Sequence, residues 1–487
     1  MSDELLTQTR PLTAWNQAAL RGYIRQVHCL ETDGGREALD KMAATLNDAL
    51  RLVCQRTPYM AGKLSLSQEQ LGVILLHTES GAQIPCTTCD ARENENLVYS
   101  KLREQGFPAG AFVGPLFDNR QTLSENGPQI PVAQILLILV DGGILMCVFV
   151  YHAITDGAGL SHFLSAVAAA MKDPYGFLVK PHEYPNRIDM PVPSAGTEHP
   201  GNDELVQALS NECPEFDLLE PGTKHEAHQA SMYGLSEAKF GGIYVFGPEK
   251  LQMVKDAVVS AGYPINPSTF CCLTALSWAF MAATRLRTVG IADESRSRDT
   301  KCRIVIPTWW GDRLFQEQLS GYAGNAVAIT ATLHGAADLF TIAETPLANL
   351  AGAKDALMRV VRTIDEALRS VDEDFVKTRS TLFNSVIDPR LPQYNFTPAD
   401  PKDFFFNSWR RLGADIEWTV PTASGPRLAM ADAVRKTQNE WNESAGLIMP
   451  GRRDQKDYEV VLSSDADSIA SLRSNTVWKT WYDRDIF

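Results

Sequence analysis

Residues 134–172 read QILLILVDGGILMCVFVYHAITDGAGLSHFLSAVAAAMK, and this stretch decides the fold. Two near-continuous apolar runs, Gln134–Val140 and Ile144–Tyr151, flank Asp141-Gly142-Gly143. Apolar runs of that length joined by an Asp-Gly-Gly turn predict a hairpin of buried β-strands. The second run delivers His152-Ala-Ile-Thr-Asp156-Gly157, and a helical pattern starts at about Leu160. A histidine carried out of a stiff buried strand into a glycine turn and a helix is a polar group on a loop held by a rigid scaffold. Such places carry function.

HxxxD alone is a weak signal, and the chain supplies its own controls. His199…Asp203 lies in a Pro/Gly-rich segment, and His334…Asp338 stands between a strand-like and a helix-like stretch. Neither has the strand, glycine turn and helix around it. With nine histidines in the chain and average Asp and Gly usage, roughly 0.03 HxxxDG matches are expected by chance. The plainer alternative is a histidine that caps a buried strand, its ring satisfied by a nearby carboxylate or carbonyl.

The totals bound the rest. A chain of 487 residues exceeds a single core and predicts two domains of about 200–250 residues. Hydrophobic residues make up 44% and charged residues 21%, the proportions of a folded globular protein. A formal charge of −14 argues against nucleic acid or an anionic membrane as partner. The N-terminus MSDELLTQTR lacks the layout of a signal peptide, and no apolar run of membrane-spanning length is apparent. Nine cysteines, an odd number, give one CxxC at Cys86–Cys89 with no second pair at zinc-ligand spacing. Reduced thiols in a cytoplasmic enzyme without a metal are the expectation.

Along the chain, residues 10–30 predict an opening strand or loop and then an irregular segment. Ala38, Leu39, Met42, Leu46, Ala49, Leu50 and Val53 recur at helical spacing, ahead of Pro58-Tyr-Met-Ala-Gly-Lys-Leu64. Residues 70–150 predict strands with short connectors. The Pro/Gly-rich composition of 173–225 marks a linker or crossover, giving an N-terminal half at 1–185, a crossover at 186–225 and a C-terminal half at 226–487. In the second half Lys239–Phe246 and Arg303–Pro307 predict strands and Pro248–Ser260 a helix. Pro267-Ser268-Thr269 can cap a further helix, and residues 338–383 predict a long helical region broken at Pro346. No GxSxG elbow, Walker A or GxGxxG motif is present.

HxxxDG in this setting resembles the BAHD-type acyltransferases, in particular their fungal secondary-metabolite branch, similar to the trichothecene O-acetyltransferases. It is more distantly similar to nonribosomal peptide synthetase condensation domains. Those usually show two adjacent histidines, and here the first position is Tyr151, which favours the stand-alone enzymes. The Pro-x-x-Ala-Gly-x-Leu phrase at 58–64, the helix phrase Leu273–Trp278 and the Tyr322-Ala-Gly-Asn325 turn carry the resemblance across the chain. It weakens at the second family signature, Asp-Phe-Gly-Trp-Gly, which here reads Asp415-Ile-Glu-Trp418-Thr.

The resemblance implies an α/β fold of two similar chloramphenicol-acetyltransferase-like halves, mixed β-sheets flanked by helices, with an active-site tunnel between them. It implies acyl transfer, acetyl above all, from acyl-CoA to a hydroxyl or amine of a hydrophobic secondary metabolite, by direct attack without an acyl-enzyme. Acyl-CoA is a co-substrate, no cofactor is held permanently, and the enzyme is expected to be a monomer. The general base would be His152, a role that suits neutral imidazole. Asp156 would be structural and paired with an arginine of the second half, Arg313 being the nearest by sequence. Gly157 would serve turn geometry and close backbone approach rather than chemistry. Trp418 would either donate its indole N–H to the oxyanion or brace the core. Ser268 and Thr269 at a helix start, and Arg410, Arg452 and Arg453 among the locally basic set Arg410, Arg411, Arg435, Lys436, Arg452 and Arg453, would hold CoA phosphates. Two other readings stay open: a condensation-like enzyme taking its acyl group from a carrier-protein thioester, and a degenerate member that binds or cyclises a hydrophobic ligand without CoA.

Overall fold

The computed structural model describes residues 7–118, 121–179, 185–189, 191–194, 201, 203–220, 238–295 and 300–487. The quoted stretch forms the expected hairpin. Strands Ala133–Val140 and Gly143–Tyr151 pair antiparallel, with Val140 opposite Gly143. The two-residue turn Asp141-Gly142 needs its glycine, since Gly142 has φ +85°. Every residue of Gly143–Tyr151 is buried, which explains an apolar run without alternation.

This hairpin is the middle of a five-stranded mixed sheet ordered Ala433–Lys436, Tyr23–Glu31, Gly143–Tyr151, Ala133–Val140, Cys86–Asp90. Residues 10–30 depart from expectation. A strand Gln8–Pro11 runs into them, followed by a short helix Ala14–Ala18 and the nine-residue inner strand Tyr23–Glu31. Arg25, Gln26 and His28 hide that strand from an apolar pattern, because its polar side chains face a cavity and a buried interface rather than water. The helix Gly35–Cys54 packs its predicted apolar face inward and meets the helix Gly157–Lys172.

A seven-stranded mixed sheet builds the second half, in the order Val327–Gly335, Lys301–Trp309, Asp403–Ser408, Ala445–Ile448, Tyr458–Asp465, Lys239–Phe246, Arg484–Ile486. Lys239–Phe246 and Pro248–Ser260 fall at the bounds predicted. The helix Thr269–Thr288 is long and apolar enough to cross a membrane, against the expectation of no such run; 89% of that apolar window is buried inside the second core, between sheet and outer helices. Pro346 separates helix Ala336–Glu344 from the tight helical turn Leu347–Gly352 and the helix Lys354–Arg369.

Two features link the halves. Ala414, Ile416, Trp418, Val420, Ala433 and Val434, late in sequence, pack into the first core, and Ala433–Lys436 pairs antiparallel with Tyr23–Glu31. The crossover is more structured than its composition predicts where it is described. Helix Asp203–Glu212 and strand Phe216–Leu218 lie against Glu373–Ser385 and Pro392–Tyr394. There Arg379 grips buried Glu215 with two bonds of 2.6 and 2.9 Å, a bidentate geometry that offsets desolvation of both charges. His199 and Pro221 lie outside the described residues.

Candidate active site

The strand Gly143–Tyr151 ends where the backbone N–H of His152 donates to Gly22 O at 2.7 Å. The chain then turns through 153–155 into the helix Gly157–Lys172. Asp156 is the N-cap, its Oδ1 accepting from Gly159 N at 3.0 Å, as a short acidic side chain does at a helix start. Its Oδ2 accepts from Ala326 N, also at 3.0 Å. Thr155 Oγ1 donates to Ala323 O at 2.6 Å. The HxxxDG loop is thereby bolted to the 322–326 turn of the other half.

The expected Asp156–arginine pair is not formed among the described residues. Backbone amides satisfy both carboxylate oxygens, and Arg313 instead donates to Trp309 O at 3.3 Å. Gly157 serves space rather than turn geometry. It opens the helix with a φ outside the left-handed region, and a Cβ there would stand 2.6 Å from Leu412 Cδ1. Gly159, which the sequence did not single out, is tighter still: a Cβ would collide with Thr155 Oγ1 and lie 2.6 Å from the backbone oxygen of Ala323.

His152 Nδ1 lies 3.2 Å from Asn325 Oδ1. Asn325 Nδ2 donates to Asn16 Oδ1 at 3.0 Å and to His152 O at 2.8 Å. With both amide hydrogens committed, the oxygen facing the ring accepts, so Nδ1 carries the proton and Nε2 keeps its lone pair. Burial pushes the His152 pKa below the usual histidine range, against its own backbone bond, the Asp156 charge and the Asn325 bond. Burial likewise raises Asp156, while its backbone amide bonds and His152 act the other way. The ring is thus held neutral and oriented. Asn325 was missed as a site residue, although Tyr-Ala-Gly-Asn was its signal.

His152 opens on a cavity of about 1640 Å³ between the halves. Arg25, Gly157 and Ser161 line it from the first half, and Phe270, Asn325 and Asn407 from the second. Asp156, Ser268, Thr269, Arg410 and Arg453 also reach it. Ser268 is a helix cap, its Oγ accepting from Cys271 N at 3.0 Å. Arg410 is a loop clamp: its guanidinium donates to the carbonyls of Asp457, Arg452 and Gln455 and lies over the Tyr458 ring. Arg452 is turned away from the cavity and donates to Ala431 O at 3.0 Å. Arg435 is a core cation paired with Glu459 at 2.8 Å. Of the predicted phosphate-binding set, Arg453 has a side chain 93% exposed, its Nε 3.6 Å from Asp415 Oδ2. Arg411 beside it is exposed and borders the same adjoining groove of about 420 Å³, with Ser161 and Ser165.

Trp418 does not reach the cavity. It is fully buried in the first core, edge-on to the His28 ring at 5.4 Å between centroids. The altered signature folds into a hairpin, Glu417–Thr422 paired with Gly425–Met430, that places the Trp418 indole in the first core.

A family model described as "Trichothecene 3-O-acetyltransferase-like N-terminal domain" matches residues 23–170, the span from the inner strand through the HxxxDG helix. A trichothecene 8-O-acetyltransferase of Fusarium sporotrichioides is 21% identical over 522 residues, covering 98% of each chain. Together these likenesses support a BAHD-type fungal acyltransferase. The fold of this acyltransferase agrees with solved structures. F. graminearum TRI101 complexed with coenzyme A and T-2 mycotoxin superimposes with a TM-score of 0.73 at 16% identity, over 99% of this chain and all of the other. Vinorine synthase gives 0.59 at 15% identity, over 100% of this chain and 96% of the other.

Proposed function

We propose that this acyltransferase moves an acyl group, acetyl in the first instance, from acyl-CoA to a hydroxyl of a small secondary metabolite, with His152 as general base. The observation that carries the reading is the His152–Asn325 contact, which leaves Nε2 free at the wall of a cavity shared by both halves. In this mechanism Nε2 takes the proton of the acceptor hydroxyl as its oxygen attacks the thioester carbonyl. The tetrahedral intermediate collapses, the C–S bond breaks, and the imidazolium returns the proton to the departing thiolate, giving ester and free CoA. Burial favours the neutral base and excludes competing water. Relatives support the donor and the acceptor class: TRI101 structures hold coenzyme A with T-2 mycotoxin or deoxynivalenol.

Arg411 and Arg453 at the cavity mouth are the cations this reading assigns to CoA phosphates, in place of Arg410 and Arg452. The division into halves at the 186–225 crossover belongs to the same proposal. The test monitors thiol release from acetyl-CoA with a panel of alcohols in wild type and H152A. Turnover that falls by roughly 10²-fold or more in the folded variant is expected. Equal activity in both removes His152 as the base. Stabilisation by CoA alone in thermal unfolding separates the CoA reading from a carrier-protein donor.

A further inference from the structure

Lys436 lies on the edge strand of the first sheet, opposite Gln26, and Gln26 is opposite Val148 on the strand that ends at His152. Paired residues share a face of a sheet, and so do alternate residues along a strand. Lys436, Gln26, Val148 and Val150 therefore share the face whose parity continues to position 152. Lys436 and His152 both line the large cavity. Four residues along the strand and two strands across place their Cα atoms roughly 16 Å apart, and the lysine side chain spans part of that gap.

The ammonium of Lys436 has no hydrogen-bond or ion-pair partner among the described residues. Two charges of the same cavity are matched elsewhere, Asp118 by Arg25 at 2.7 Å and Glu443 by Arg285 at 3.7 Å; Asp312 and Glu440 also line it, and neither forms a salt bridge with Lys436. Arg411 and Arg453, assigned above to CoA phosphates, line the same cavity but also border the adjoining groove, which Lys436 does not line. Burial, reinforced by Arg25, pushes the Lys436 pKa down to about 8. A desolvated cation that no protein group neutralises is unfavourable until an anion joins it.

We propose that Lys436 is a specificity residue that pairs with a carboxylate on a substrate. The acceptor, or the acyl group it receives, is then an amphipathic acid rather than a purely neutral molecule. This inference rests on the acyl-transfer reading and narrows its substrate class. A carboxylate at Lys436 would hold the far end of a substrate while its hydroxyl, or its thioester carbon, lies at His152.

The test compares wild type with K436M, which keeps the chain length and removes the charge. Straight-chain ω-hydroxy acids in a length series are assayed against their methyl esters, with acetyl-CoA as donor. Succinyl-CoA is assayed against acetyl-CoA with a neutral alcohol. An acid-over-ester preference in kcat/KM of about tenfold or more that falls to near one in K436M is expected and places the carboxylate on the acceptor. The same collapse in the succinyl-over-acetyl ratio instead places it on the acyl group. If neither ratio moves in K436M, including the case where only the KM for CoA rises, the proposal is overturned. Should wild type turn over no pair, the acyl-transfer reading fails, and binding decides this one. Thermal stabilisation of wild type by the hydroxy acids over their esters, absent in K436M, sustains it; equal shifts in both proteins overturn it.

Discussion

The side-chain oxygen of Asn325 stands 3.2 Å from Nδ1 of His152, and the two residues come from different halves of the chain. Asn325 is itself fixed by Asn16, whose Oδ1 receives both its backbone and its side-chain N–H. The proton on the base is therefore set by the docking of the halves.

Replacing Asn325 with Ala frees the ring to rotate and change tautomer. A fall in kcat of about tenfold or more, with KM for acetyl-CoA changed less, is expected from steady-state kinetics. The wild-type pH–rate profile should keep activity below pH 6.5, because burial lowers the His152 pKa and the base stays neutral there. N325D puts a carboxylate against Nδ1 and favours the imidazolium, so its acid limb should move to higher pH. An unmoved limb would show that Asn325 does not face the titrating ring.

Asp156→Asn leaves one acceptor oxygen where two amides, Gly159 N and Ala326 N, now find one each. The new NH₂ faces a donor, and a loss of about 1–3 kcal/mol in denaturant unfolding is expected. Since Asp156 does not touch the His152 ring, kcat of the folded variant should exceed that of H152A by on the order of tenfold. Matching losses in the two variants would give the carboxylate a direct role in catalysis.

His28 is fully buried, with both ring nitrogens unpartnered, and burial lowers its pKa to about 4. Between about pH 6.5 and 4 the unfolded chain binds a proton that the folded chain refuses, so stability falls as pH drops across that window, by up to about 3 kcal/mol. His28→Leu removes this contribution. Urea unfolding across the window should give a shallower slope in H28L; an unchanged slope would put the acid sensitivity elsewhere.

Trp418→Phe tests the role of the second signature. A core tryptophan predicts lower stability by about 1–3 kcal/mol and kcat within about twofold. An oxyanion donor would predict a kcat loss of roughly 10²-fold.

Sequence reasoning reaches local features and stops at contacts. The hairpin, the cap at Ser268 and the helix Pro248–Ser260 were legible because each depends on neighbours within a few residues. The strand Tyr23–Glu31 was not, since its polar residues point into a cavity and an interface that another part of the chain creates. Arg410 and Arg453 look alike as letters. Folding spends Arg410 on carbonyls of its own loop and leaves Arg453 exposed beside Asp415.

What the sequence alone determined is the HxxxDG element: an apolar run with one glycine turn and one capping aspartate specifies strand, loop and helix from neighbours within a few residues. Which residues complete the site was decided by tertiary structure. Asn325 and Asn16 are 309 positions apart, and Asp156 found amides rather than an arginine. Those pairings join residues far apart in the chain, and no local pattern carries the register in which they meet.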